Sequence, residues 1–222
     1  MERISEIELM DDEEQAKAYA AADFSSAHNL FIELFREKFK DIHPQFNDVV
    51  LDLGCGPCDI TRRFAAAYPD ADFHAVDGAA AMLKQGEKLN KQEGMSCRIK
   101  LIESHLPMLE LPQQLYHIII SNSLLHHLKN PFDLWEAIQQ HAKPFAHVFI
   151  MDLVRPVDEP TVKYLSNEYA KNEPEILKQD FENSLRAAYT VKEVKNQLKE
   201  MGLTKLQAEE VSDRHMIVYG IL

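Results

Sequence analysis

Cysteine is scarce in this chain: Cys55, Cys58 and Cys97 are the only three in 222 residues. So few, and an odd number, cannot build a disulfide framework, and they fit a reducing compartment. Glycine is also sparse, at seven residues against ten prolines, which excludes a collagen-like or low-complexity chain. Bases are outnumbered: 24 Lys and Arg face 36 Asp and Glu, a formal net charge of −12. That surface repels a phosphate backbone and no basic run offsets it, so no nucleic-acid partner is expected. Long hydrophobic runs are missing. The most aliphatic stretch, around Ile118-Ile119-Ile120, is far too short to cross a bilayer, so no membrane association is expected either. The opening MERISEIELMDDEE is acidic and lacks the basic-then-apolar order of a signal peptide. These absences point to a cytoplasmic protein. What is present, 45% hydrophobic and 27% charged residues, is ordinary globular composition in a length able to bury a full core.

The hydrophobic pattern alternates between two periods. Residues 11–41 read as helix, with Asp11 or Asp12 as cap and Leu30, Phe31, Leu34, Phe35 and Phe39 at helical spacing, and Pro44 ends that region. Val49 to Gly54 is a short apolar run that stops at glycine and reads as a buried strand. Helix over 60–68, strand over 73–77, helix over 79–92, strand over 97–102 and strand over 115–121 follow. A helix over 131–142 and a strand over 145–153 complete the series. This β-α-β-α order implies parallel strands with helices on both faces, a three-layer α/β/α sandwich. Residues 158–201 read as two or three helices. Runs 203–211 and 215–221 then form an antiparallel hairpin, because the link between them is too short for a crossover. One domain over 1–222 is expected, with an N-terminal helical cap over 1–45 and a helical insertion over 156–201.

Chemistry-bearing residues collect at the strand ends. The first strand runs into Asp52-Leu53-Gly54-Cys55-Gly56-Pro57-Cys58-Asp59, where glycines permit a tight turn and close approach of backbone to a ligand. The following helix offers free N–H groups and a positive dipole end. The second strand ends at Asp77, whose carboxylate can accept two hydrogen bonds from a ribose diol or cap the next helix. Ser104 and His105 follow the third strand; Ser121, Asn122 and then His126-His127-Leu128 follow the fourth. Ligands of parallel sheets bind at these carboxyl ends.

Taken together, these residues over about 48–153 resemble the class I S-adenosylmethionine-dependent methyltransferases that act on small molecules, with their DLGCGPG-like loop and later HHL. The resemblance implies a Rossmann-like, seven-stranded, mostly parallel sheet in the order 3-2-1-4-5-7-6, with S-adenosyl-L-methionine as cofactor. It also implies that Gly54, Cys55, Gly56 and Pro57 cradle the methionyl part and that Asp52 faces its amine. Asp77 would hold the ribose hydroxyls, and Gly78 and Met82 would line the adenine. Ser104 and His105 stand where the family often has an acid for the adenine amine. Ser121 and Asn122 would lie near the sulfonium. His127 and Asp152 are the catalytic candidates by the same resemblance. The implied activity is methyl transfer to a small-molecule acceptor through an O, N or C nucleophile. Tyr19 and Phe24 in the first helical segment, and Asn183 and Arg186 in the second, are the expected acceptor contacts.

Cys58 departs from the family pattern, standing where a third glycine is usual, and its Cβ would crowd the cofactor unless φ stays below zero. Three rival readings stay open. Cys55-Gly56-Pro57-Cys58 has the letters of a thioredoxin redox motif at a helix N-terminus. A nicotinamide-dependent oxidoreductase would need a third glycine where Asp59 stands. A non-catalytic S-adenosylmethionine-binding protein needs only the cofactor residues. No metal site is expected, since Cys97 is read as buried on the third strand, away from the other two cysteines.

Overall fold

In a computed structural model that describes residues 1–6, 11–43 and 46–222, seven strands form one sheet in the order β3-β2-β1-β4-β5-β7-β6. The strands are β1 (Val49–Leu53), β2 (Asp72–Asp77), β3 (Ile99–Glu103), β4 (Tyr116–Asn122), β5 (Ala142–Leu153), β6 (Gln207–Glu210) and β7 (His215–Ile221). The first five are parallel neighbours. β7 inserts antiparallel between β5 and β6. Topology and three-layer class are those expected from the sequence.

Period-two alternation sends successive side chains of the central strands to opposite faces. Val50, Ile118, Ile120 and Phe149 pack on one side with Phe31, Phe35 and Phe64. Leu51, Ile119, Val148 and Ile150 pack on the other with Trp135, Val194 and Leu198. The first face is covered by α2 (Ser25–Lys38) and α3 (Asp59–Ala67), the second by α5 (Phe132–His141) and α8 (Val191–Glu200). Both faces are dry, which is why the strands are apolar runs rather than alternating ones.

Several boundaries differ from the sequence reading. The expected helix over 11–41 is two: α1 (Glu13–Ala21), capped by Asp12, and α2. Between them the Asp23 carboxylate accepts the Ser25 N–H and turns the chain. Pro44, expected to end this region, lies outside the described residues. β3 begins at Ile99, so Cys97 precedes it and is exposed, contrary to the expected buried position. The second helical segment holds three helices: α6 (Glu159–Tyr169), α7 (Glu175–Ala187) and α8. Thr190 and Glu193 close a reciprocal capping box on α8. α4 (Ala80–Gln92) links β2 to β3. Residues 1–6 lie against the end of α7, with the Ile4 N–H donating to the Arg186 carbonyl. Among the described residues no helix is long and apolar enough to cross a membrane.

Candidate functional site

The carboxyl ends of β1, β2 and β4 and the segment after β3 surround a cavity of about 240 Å³, roofed by α1 and α2. Its wall includes Asp52, Gly54, Cys55, Gly56, Pro57, Asp77, Gly78, Met82, Ser104, His105 and Asn122. It also includes His127 from the 3-10 turn Leu125–His127 and Tyr19, Phe24 and His28 from the helical cover.

The loop after β1 takes left-handed backbone at three positions: Gly54 (φ +71°), Gly56 (φ +51°) and Cys58 (φ +64°). The N–H groups of Gly54 and Cys55 both donate to the Val76 carbonyl, at 2.8 and 2.9 Å, which pins the loop to β2. A Cβ on Gly54 would come within 2.9 Å of Leu124, so packing against the loop after β4 demands glycine there. Around Gly56 nothing lies within 4 Å, and any side chain would occupy the cleft. Cys58 has a positive φ, the case in which its Cβ was expected to crowd the cofactor, yet its side chain is not on the cleft wall. Its side chain is fully buried in the core, where Gly86 of α4 makes room: a Cβ on Gly86 would lie 3.2 Å from the Cys58 sulfur. That burial offsets the cost of the left-handed conformation, about 1–2 kcal/mol for a residue with a Cβ.

Asp77 holds two backbone donors, one of them at the helix start as the capping alternative anticipated. One carboxylate oxygen accepts the Gly56 N–H at 2.7 Å, the other the Ala79 N–H at 2.8 Å at the start of α4. Burial raises its pKa, against the pull of these two donors and of nearby His105. Asp52 lies at the cleft floor and is 1% exposed. Burial pushes its pKa up to about 7, although the Thr61 hydroxyl donates to it at 2.5 Å. Ser104 Oγ accepts the Glu110 N–H. Tyr19 and Phe24 pack ring to ring, 4.8 Å between centroids, at the roof.

Asp59, weighed in the sequence only as a missing glycine, anchors that roof. Its carboxylate pairs with His28 at 2.5 Å and Arg63 at 2.8 Å. Burial opposes ionisation there, but His28 and Arg63 hold the group well below the usual carboxylate range.

Four expected site residues are not on this wall. Ser121 is fully buried, and its hydroxyl donates to the Leu53 carbonyl at 2.6 Å, tying β4 to β1. Asp152 is buried off the cleft, where it accepts from His126 Nδ1 at 2.5 Å and from the Leu125 N–H at 2.7 Å. Facing charges hold His126 above and Asp152 below their ordinary values despite burial. Arg155, three residues further on, binds Glu193 rather than Asp152. Arg186 is spent on Glu159 and Glu182, and Asn183 accepts from Gln179. The second helical segment thus does not reach the cavity: Tyr164 is exposed, and Tyr189 is buried with its hydroxyl donating to the Leu128 carbonyl. Sequence periodicity shows which residues share a helix face but not toward which neighbour that face turns.

A family model described as a methyltransferase domain matches residues 50–156. An uncharacterized methyltransferase of Schizosaccharomyces pombe is 28% identical over 108 residues, 46% of this chain and 38% of that protein. A malonyl-[acyl-carrier protein] O-methyltransferase of Halalkalibacterium halodurans is 27% identical over 121 residues, 53% of this chain and 43% of its own length. The chain therefore spans roughly two fifths of the length of these curated relatives. The solved structure of a SAM-dependent methyltransferase from Aquifex aeolicus superposes with a TM-score of 0.67, covering 95% of this chain and 98% of that one at 19% identity. At that identity the likeness is one of fold.

Proposed function

We propose, from the premise that this chain belongs to the class I S-adenosylmethionine-dependent methyltransferases, that it transfers a methyl group from S-adenosyl-L-methionine to a small-molecule acceptor held under α1 and α2. The observation that carries this reading is the cleft wall, in which the bare Gly56 backbone and the Asp77 carboxylate it donates to, 2.7 Å away, border the same open cavity. The residues present fit the cofactor. Each Asp77 oxygen spends one acceptor site on a backbone N–H, leaving a second on each for a ribose hydroxyl. When bound, the cofactor supplies a methyl group already activated by a positive sulfur.

The chain's own residues then hold and exclude. Gly54, Cys55, Gly56 and Pro57 border the methionyl part, and Asp52 at the floor is the counter-charge for its amine. Gly78 and Met82 flank the adenine, with Ser104 and His105 at its rim. Asn122 lines the inner end. Tyr19 and Phe24 at the roof would shield the sulfonium, since aromatic faces attract a cation and keep water out. In-line placement of the acceptor at about 3–3.5 Å is the main catalytic demand. His127 on the wall would orient an acceptor or take its proton.

The rival readings are less well supported. Burial pushes the Cys55 thiol well up, the reverse of an activated redox thiolate. An ionised Asp59 in the cleft wall opposes a pyrophosphate at that helix N-terminus. Brief alkylation of the folded protein is accordingly expected to label Cys97 alone, read by peptide mass spectrometry. Rapid labelling of Cys55, or disulfide reductase activity, would restore the redox reading.

The direct test is calorimetric titration with S-adenosylmethionine and S-adenosylhomocysteine, with micromolar binding expected. Stabilisation by NAD with no response to either ligand would overturn the proposal. Turnover to S-adenosylhomocysteine in a metabolite extract, screened for products heavier by one methyl group, separates an enzyme from a cofactor-binding protein and identifies the acceptor.

A further inference from the structure

We propose that Glu6, His126 and His127 form a binding site for one divalent transition-metal ion of the zinc type, set beside the cleft. Glu6 arrives from the far end of the sequence. Its segment is fixed by Arg3, whose guanidinium donates to the carbonyls of Ala187, His126 and Leu128 and lies over the Tyr189 ring, 4.1 Å from its centroid. One Glu6 oxygen accepts from the Ser184 hydroxyl at 3.4 Å. The other, Oε1, is buried without a hydrogen-bond partner. It stands 3.2 Å from His127 Nδ1 and 3.5 Å from His126 Nε2, and one donor atom from each of the three residues falls within a 4.8 Å cluster.

These separations suit metal ligands. Two donors bound at 2.0–2.1 Å in a tetrahedral site lie about 3.4 Å apart, and both measured edges bracket that value. A hydrogen bond between imidazole and carboxylate is shorter, about 2.7–2.9 Å when charge-assisted. The supporting residues agree as well. His126 commits Nδ1 to Asp152 at 2.5 Å, which leaves Nε2 facing Glu6. That is the carboxylate–histidine–metal arrangement that fixes a ligand's tautomer and orientation. Two carboxylates, Glu6 and Asp152, offset a dication. Three protein ligands leave one position open, as in catalytic rather than structural zinc sites, and His127 is itself part of the cleft wall. If the methyltransferase reading above holds, that position would take an oxygen of the acceptor, so the acceptor class is a small molecule with a hydroxyl or carboxylate able to bind metal.

The test uses the full chain without a polyhistidine tag, stripped with chelator and then titrated with zinc chloride and cobalt chloride. One equivalent should bind. Cobalt should give tetrahedral visible bands without the thiolate charge-transfer absorption that Cys55 or Cys58 would produce. Glu6→Gln, which keeps shape and the Ser184 contact, should weaken zinc binding more than tenfold. Asp152→Asn should weaken it about 10–100-fold through the tautomer. Circular dichroism and S-adenosylhomocysteine affinity, measured on each metal-free variant, report whether fold and cofactor site persist. Cofactor binding without metal binding would overturn the metal site alone, whereas metal binding without cofactor binding would overturn the methyltransferase reading alone. No binding by the folded parent chain would sink the metal site, as would binding undiminished in Glu6→Gln or a thiolate spectrum. A proton shared among the same four side chains would then account for the cluster.

Discussion

Asp77→Ala is expected to weaken S-adenosylhomocysteine binding by about a hundred- to ten-thousandfold. The Asp77 carboxylate faces the cleft, and a charge-assisted hydrogen bond to each ribose hydroxyl is worth about 1.5–3 kcal/mol. Each ~1.4 kcal/mol is one decade of affinity. The variant should also lose stability, because the side chain holds the N–H groups of Gly56 and Ala79, at 2.7 and 2.8 Å. Leaving such donors without a partner costs about 1–3 kcal/mol each, less where water reaches them. The two effects are separable: thermal melting reads the second, and calorimetry well below the midpoint reads affinity per folded molecule. Asn at this position should be milder on both counts, since it keeps one acceptor. A lower midpoint with unchanged affinity would reduce Asp77 to a loop and helix-start anchor and remove it from the cofactor site.

Asp52→Asn should make the protein more stable at alkaline pH while weakening cofactor binding. Burial raises the Asp52 pKa from 3.8 to about 7 in the folded chain. The folded state therefore holds this proton more tightly than the unfolded state does. Below about pH 4 the group is protonated in both states and carries no ionisation penalty. Between about pH 4 and pH 7 the unfolded chain ionises first, and stability falls as pH rises. Above the folded pKa the full penalty remains, of the order of 4 kcal/mol at most. Asparagine never ionises and can still accept from Thr61, although its buried amide N–H groups need partners and reduce the gain by about 1–3 kcal/mol. The difference in melting temperature between variant and parent should grow from pH 4 to pH 7 and then level off. A difference independent of pH would show that Asp52 is not held at a raised pKa. Weaker binding is expected because the cofactor amine would lose its counter-charge.

How much of the site was legible varied with the range of the forces involved. The strand-end residues Asp52, Gly54, Gly56, Asp77 and Asn122 could be placed because a parallel sheet delivers the residue after each strand to one edge. Cys58 shows where local rules ran out. A residue with a Cβ is expected to avoid positive φ, but the space left by Gly86, 28 positions further along, lets its side chain be buried at φ +64°. Asn183 and Arg186 failed for a related reason. Their helical spacing is local, as is the Glu182 partner of Arg186 four residues earlier, while its other partner, Glu159, is set by how α7 packs on α6.

By itself the sequence determined the layers, the strand order's parallel core and the terminal hairpin, because hydrophobic period and connection length leave few topologies open. The tertiary structure alone decided that Asp152 turns to His126 and that Glu6 joins His126 and His127. It also decided that Asp59 reaches back to His28 to hold the roof in place. Those pairings join groups 26 to 121 positions apart, and burial, which is complete around Asp152 and His126 and partial around Asp59 and Glu6, limits access to water and so favours whichever partner the packed core brings within reach.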